Sequence, residues 1–325
     1  MNSSNPLPTD AKGSEAAGGF YRSYGGYLRE RFGGRIQRVS INGGFTCPNV
    51  DGSLAKGGCN FCDNRSFSPS RRTPRVDIRG QIDRGIEALH RRYKKIRGFI
   101  AYFQPATNTY APVDRLRSLY EESLEHPEVV GLAIGTRPDC VPEDVLDLIS
   151  ELARDRYVSV EYGMQSIHAK SLDWMNRAHY HESMIDAVQR SGNRGFEISA
   201  HVILGIPLED HAEMMQTAAE GARLGIDAVK IHNLYAVHNT KLGDEVASGQ
   251  IELMGREEYV RTVVDFIERL PPEMIIERVS GDAPPRYLIE PQWCLSKSSL
   301  RQDIDNEFAR RGTRQGFRFA ESNST

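Results

Sequence analysis

A chain of 325 residues, 39% hydrophobic and 26% charged, is long enough to bury a substantial core and is ordinary in balance for a globular protein. Its net charge of −3 excludes a uniformly polycationic nucleic-acid binder, so an RNA partner would have to rely on local basic patches. No run approaches the roughly 18 apolar residues of a membrane span, and five cysteines, three of them clustered, make a poor disulfide framework.

Residues 1–18 are polar and small and read as a disordered tail. They lack the apolar stretch of a secretory signal, and the protein is expected in the cytoplasm. From residue 35 a rhythm begins: a short β-branched run, a loop, then a segment of helical periodicity. Strands are predicted over 36–41, 99–103, 129–134, 158–162, 197–203 and 228–231, and helices over 77–93, 113–124, 142–153, 181–191 and 211–224. Pro142 and the acidic pair Glu209-Asp210 mark two helix starts. After residue 245 the pattern weakens to a helix at 257–269, an extra strand at 274–279 and a charged helix at 301–311. Alternating strands and helices imply a parallel sheet with helices outside. About six such units are too few for a full eightfold barrel, so the expectation is an α/β fold, a partial, TIM-like (β/α)6 barrel. Its core would span 19–245, with 246–325 a C-terminal extension packed on it and frayed at the end. Chemistry in such a barrel belongs in the loops after the strand C-termini.

One loop is set apart by its cysteines. Directly after the first strand, Cys47, Cys59 and Cys62 stand in the spacing C-x11-C-x2-C. Three thiolates suit a soft metal centre such as an iron–sulfur cluster. A structural zinc site would want a fourth ligand, and no second C-x2-C or histidine pair follows locally. Three ligands on a four-iron cluster leave one iron open. Gly43, Gly44, Gly52, Gly57 and Gly58 permit the tight turns such a loop needs. Lys56 reads either as a counter-charge for a cluster or as a solvated loop lysine.

With Phe61 just before the last cysteine, this loop resembles that of the radical S-adenosylmethionine (SAM) superfamily. The long first gap resembles its YhcC-type branch, related to the catalytic subunit of Elongator. Further segments resemble that branch in order: Tyr102 to Pro112, Gly135-Thr-Arg-Pro-Asp139, Glu161-Tyr-Gly-Met-Gln-Ser166 with Arg177-Ala-His179, and His201-Val-Ile-Leu-Gly-Ile-Pro207. The resemblance implies a radical SAM barrel in which Cys47, Cys59 and Cys62 hold a [4Fe-4S] cluster. The open iron would take SAM, and the pair would yield a 5′-deoxyadenosyl radical, fed by an electron donor such as flavodoxin or ferredoxin. No segment resembles the acetyltransferase domain of the Elongator subunit, so acetyl-CoA chemistry is not implied.

Residues at the strand ends are the candidates for positioning SAM: Phe61, Gln104, Thr107, Thr136, Glu161, Gln165, Arg177 and His201. Several carry a second reading. Arg137 either binds an anion or pairs with Asp139, Glu161 is either a ligand contact or a buried structural acid, and His201 is either a lumen contact or a hydrogen-bonded core histidine. Lys230, His232 and His238 are set to face substrate or solvent. Cys140, just after the third strand, reads either as a reactive thiol or as a buried inert one, and Cys294 reads as buried and inert. The Elongator likeness implies a tRNA wobble uridine as substrate. Three basic groups offer phosphate contacts: Arg71, Arg72 and Arg75; Arg91, Arg92, Lys94 and Lys95; and Arg310, Arg311, Arg314 and Arg318. Each reads equally as a solvated face balanced by acids. The rival readings are a radical SAM oxidoreductase acting on a small metabolite or tetrapyrrole, and a non-enzymatic zinc-binding, RNA-binding protein.

Overall fold

The computed structural model describes residues 19–319. The tail expected over 1–18 and the last residues, 320–325, lie outside the described residues.

Among the described residues nine strands are interspersed with helices: β1 (Arg35–Ile41), β2 (Ile96–Phe103), β3 (Val129–Thr136), β4 (Tyr157–Gln165), β5 (Glu197–Leu204), β6 (Ala228–Asn233), β7 (Ala236–Val237), β8 (Ile275–Arg278) and β9 (Leu288–Glu290). The helices are α1 (Tyr24–Phe32), α2 (Pro48–Asp51), α3 (Asn64–Phe67), α4 (Ile78–Arg92), α5 (Val113–Leu124), α6 (Glu143–Ala153), α7 (Ala169–Trp174), α8 (His181–Ser191), α9 (His211–Arg223), α10 (Lys241–Ala247), α11 (Arg256–Glu268) and α12 (Lys297–Arg311). Seven strands form one sheet in the order β1-β2-β3-β4-β5-β6-β8, every pair parallel. β7 and β9 form a separate antiparallel ribbon.

Each new strand joins the same edge, so the sheet winds one way and its helices cover one face. Those helices are amphipathic with the spacing this requires: Ile78, Ile82 and Ile86 recur every fourth residue of α4 and are buried. Asp210 caps α9 and is returned by Glu213 in a capping box, which ends the preceding loop sharply. The other sheet face curls into a lumen. In a flat sheet of this order β1 and β8 would lie six strand spacings apart, roughly 29 Å at about 4.8 Å each. Yet Arg38 of β1 meets Glu277 of β8 at 2.7 Å. The curl is a half-barrel, since no backbone ladder joins β1 to β8. Residues before α1 dress the gap: Ile276 N–H donates to the Arg22 carbonyl at 2.9 Å, and Ser23 bridges to Ile276.

The partial barrel expected from the sequence is present, and the strand read at 274–279 joins it as a seventh member. Helices α1, α2, α3, α7 and α10 have no counterpart in the sequence reading. α1 contains Gly25 and Gly26, poor helix formers, and it is held by burying Leu28 against β1 and by Ser23, which caps Gly26 N–H.

Candidate active site

The three cysteines lie on the loop leaving the C-terminal end of β1. Cys47 caps α2, Cys59 is buried, Cys62 is exposed, and all are free thiols. Gly57 and Gly58 both adopt positive φ (83° and 78°), so the chain can turn into Cys59 without a Cβ clash. The loop is tied to the segment after α7. Asn176 donates to the Gly58 carbonyl at 2.7 Å, Asn60 N–H to the Met175 carbonyl at 3.1 Å, and Asn49 to the carbonyls of Asn176 and Arg177 at 2.6 and 3.1 Å. On the other side Thr107 N–H donates to the Thr46 carbonyl, next to Cys47.

Two side chains point donors at Cys59 Sγ: Arg177 at 3.3 Å and Asn49 Nδ2 at 3.5 Å. Arg177 also donates to the Gly163 carbonyl at 2.9 Å and lies 3.0 Å from His179 Nε2. Burial first, then the Arg177 charge, brings His179 down to about 3, so its ring is neutral. Behind Arg177, Arg137 is buried, forks onto Asp139 at 2.9 and 2.7 Å and donates to the Arg177 carbonyl at 2.8 Å. Of its two readings, the structure shows the ion pair with Asp139.

Deeper in the lumen stands a second cluster. Glu161 Oε2 accepts from Tyr102 Oη, Lys230 Nζ and His201 Nε2, each at 2.7 Å, and Arg38 meets Oε1 at 2.7 Å. Burial alone would raise the Glu161 carboxyl, but Arg38, then Lys230 and His201, outweigh it and hold it well below the usual range. Burial brings Lys230 down to about 8 against the pull of Glu161, and it lowers His201 as well. Arg38 and His201 are the members that reach solvent, with side chains 18% and 20% exposed, whereas Glu161 is sealed.

The remaining candidates lie at these two centres and beyond them. Gln165, at positive φ (66°), ends β4 beside Gly163, where a Cβ would touch both the Gln165 amide and Arg177. Thr136 is buried and shares a hydrogen bond with Thr109 Oγ1. Gln104 donates to the Phe67 carbonyl at 3.3 Å and accepts from Ser40, so it braces the loop's outer edge. Phe61 packs against the apolar group of Leu172, Met175 and Ile203. Lys230 faces Glu161, and His238 is exposed. Cys140 and Cys294 are buried, and burial pushes both thiols up to about 12.

Arg38, Asn49, Asn176 and Glu277 escaped the sequence reading. A signal existed for two of them. Arg38 and Glu277 are charged residues inside apolar strands, as Glu161 and Lys230 are, and charge in such a place requires partners. Two bases and two acids balance there.

A soft metal cluster fits this donor set. Three thiols share one loop, two N–H donors face the sulfur of Cys59, and such hydrogen bonds tune iron–sulfur centres. Among the described residues, no group of three or more His, Cys, Asp or Glu is gathered to hold a single metal ion. A cluster asks for a different arrangement, with each thiolate on its own iron.

A parallel half-barrel with a cysteine loop over its C-terminal mouth defines a class of barrel enzyme whose chemistry lies above the strand ends. Comparison with known proteins gives the family. A family model described as the radical SAM superfamily matches residues 55–220, and one for the radical SAM C-terminal domain matches 226–310. The chain is 38% identical over 296 residues to YtqA of Bacillus subtilis, covering 91% of this chain and 92% of that protein. It is 34% identical to YhcC of Escherichia coli K12, covering 90% and 94%. It is also 27% identical over 173 residues to a tRNA uridine(34) acetyltransferase of Methanocaldococcus jannaschii, covering 52% of this chain and 31% of that one. In fold it is similar to Elp3 of Methanocaldococcus infernus lacking residues 1–46, with a TM-score of 0.64 at 18% identity over 89% of this chain and 68% of that one. The chain belongs to the radical SAM superfamily, whose members use a [4Fe-4S] cluster and SAM, and it is an enzyme of that class.

Proposed function

We propose that Cys47, Cys59 and Cys62 hold the cluster, that the candidate residues around the barrel mouth seat SAM, and that the substrate is the wobble uridine of a tRNA. The observation that carries the site is the Arg177–Cys59 contact, which joins the cysteine loop to the end of β4. When bound, the reduced cluster and SAM supply a 5′-deoxyadenosyl radical that removes a hydrogen atom from substrate.

This chain's residues prepare that event. Arg177 and Asn49 aim one charged and one neutral N–H donor at the Cys59 sulfur and so fix its position. Gln165 and Thr136, buried at adjoining strand ends, offer polar groups to SAM without admitting bulk water. Gln104 and Thr107 brace the opposite side of the loop, and Phe61 closes its apolar flank. Glu161, paired with Arg38 and Lys230, fixes the lumen floor, and His201 carries that floor toward the opening. The tRNA assignment is supported by the similarity to the uridine(34) acetyltransferase, which extends over 173 residues, 52% of this chain. An electron carrier of the flavodoxin or ferredoxin type would complete the system.

The test is anaerobic reconstitution with iron and sulfide, followed by dithionite and SAM, with and without tRNA. The expected products are 5′-deoxyadenosine, abolished by Cys59→Ala, and a tRNA nucleoside of altered mass at position 34. Zinc at one per chain without acid-labile sulfide would sink the cluster. SAM cleavage with unaltered tRNA would sink the substrate.

A further inference from the structure

The three basic groups of the sequence occupy different ends of the barrel. Arg91 and Arg92 close α4 immediately before β2, at the N-terminal end of the sheet. There Arg91 pairs with Glu87, and Arg92 lies over Tyr93. The third group lies at the same end, since Gln315 donates to the carbonyls of Pro271 and Met274 just before β8. Three of its four charges are met by acids: Arg310 by Glu307, Arg311 by Asp265, Glu268 and Glu307, and Arg318 by Glu268.

The first group lies at the other end, on the cysteine side. Arg71 donates to the Phe45 carbonyl at 3.1 Å. The Arg75 guanidinium lies against Gly44, so close that a Cβ there would fall 2.2 Å from it. From α5, Arg115 donates to the carbonyls of Gly43 and Gly44 at 3.4 and 3.3 Å and covers the Phe45 ring. Three guanidiniums thus gather on one turn, two residues before Cys47, with Arg72 adjoining. Among the described residues none of these four arginines forms an ion pair, and the Nε atoms of Arg71 and Arg72 are buried without a partner. Four uncompensated positive charges on one lip repel one another, so the arrangement is at its most stable with an anion across it.

We infer that Arg72, Arg75 and Arg115, backed by Arg71, form a lip that binds the phosphodiester backbone of RNA and holds the target base over the barrel mouth. Arg75 and Arg115 are exposed, so the lip is open ground rather than a closed pocket, which suits a polymer backbone better than a small phosphorylated molecule. All four are arginine, whose planar fork matches phosphate oxygens two at a time. The inference rests on the reading that the substrate is RNA, and it adds where that RNA lies.

The test uses the full chain with its cluster reconstituted and unmodified tRNA, followed by fluorescence anisotropy across a salt series. The triple variant Arg72→Gln, Arg75→Gln, Arg115→Gln is expected to bind tRNA at least about tenfold more weakly, with the slope of log affinity against log salt shallower by about 2–3. Iron content should match the wild type. The corresponding triple lysine variant should recover most of the affinity and slope. The variant Arg91→Gln, Arg92→Gln, Lys94→Gln should bind within twofold of wild type. Equal binding by wild type and the glutamine triple, or failure of the lysines to restore it, overturns the lip while leaving an RNA substrate standing. If tRNA binding persists but reduction by an acidic flavodoxin is lost, the surface serves the electron donor and the inference falls. If the wild type does not bind tRNA at all, the substrate reading falls with it.

Discussion

The guanidinium of Arg177 lies 3.3 Å from the sulfur of Cys59, a residue 118 positions earlier in the chain. The same guanidinium is anchored on the Gly163 carbonyl at 2.9 Å, so the cysteine loop is referenced to the end of β4. Replacing Arg177 with leucine should remove that reference while keeping an apolar stem. We expect less than half the wild-type iron and sulfide after reconstitution and at least about tenfold less 5′-deoxyadenosine, a loss of the size seen when groups supporting metal ligands are removed. Arg177→Lys, which keeps charge but not the fork, should fall between. Wild-type iron content and SAM cleavage in the leucine variant would show the contact to be incidental.

Glu161 is sealed in the lumen with two cations against it. Glu161→Gln would leave Arg38 and Lys230 buried with too little opposing charge. Breaking a buried ion pair from one side destabilises by about 3–5 kcal/mol. Denaturant unfolding should show a loss of that order, and Glu161→Gln combined with Lys230→Met should recover part of it. Additive losses in the double variant would mean that the two residues are not coupled.

Lys230 carries a pH signature. Its ordinary value is 10.5, and burial brings it to about 8 in the folded chain. Below pH 8 the lysine is protonated in both states, and the penalty of burying its charge is fully present. Between pH 8 and 10.5 the unfolded chain binds the extra proton, so stability rises with pH, by up to about 3 kcal/mol. Above 10.5 both states are neutral there. The difference in unfolding free energy between wild type and Lys230→Met should therefore shift in favour of wild type from pH 7.5 to 10.5. A flat difference across that range would refute the assignment.

Burial, with a nearby acid in each case, pushes the Cys140 and Cys294 thiols up to about 12. Thiolate is the reactive form. In native protein at pH 8, iodoacetamide should leave both unlabelled, and both should label once guanidinium unfolds the chain. Mass spectrometry of peptides reads this directly. Rapid native labelling of Cys140 would revive a reactive role for it.

Much of the fold was legible because strands and helices write short periods into sequence. The helices at 113–124 and 181–191 were read to the residue, since their apolar positions recur at helical spacing over a whole element. The cysteine loop was legible for a similar reason: ligands close in sequence after a strand must lie together at its end. α1 was missed because its two glycines hide it, and it is sustained by packing Leu28 against β1 and by the Ser23 cap.

What the tertiary structure decided concerns residues brought together by curling. Strand alternation tells which face Arg38 and Glu161 share with their neighbours, but not that β1 would bend round to meet β4 and β8. That depends on cumulative twist and on which charges find each other in a low-dielectric lumen. Likewise, three arginine-rich segments look alike as sequence. Only the fold sets two of them at the far end of the barrel, where Arg91, Arg310, Arg311 and Arg318 meet acids, and leaves the arginines at 71–75 without an ion pair near Cys47, because ion pairing depends on distance in space and not on distance along the chain.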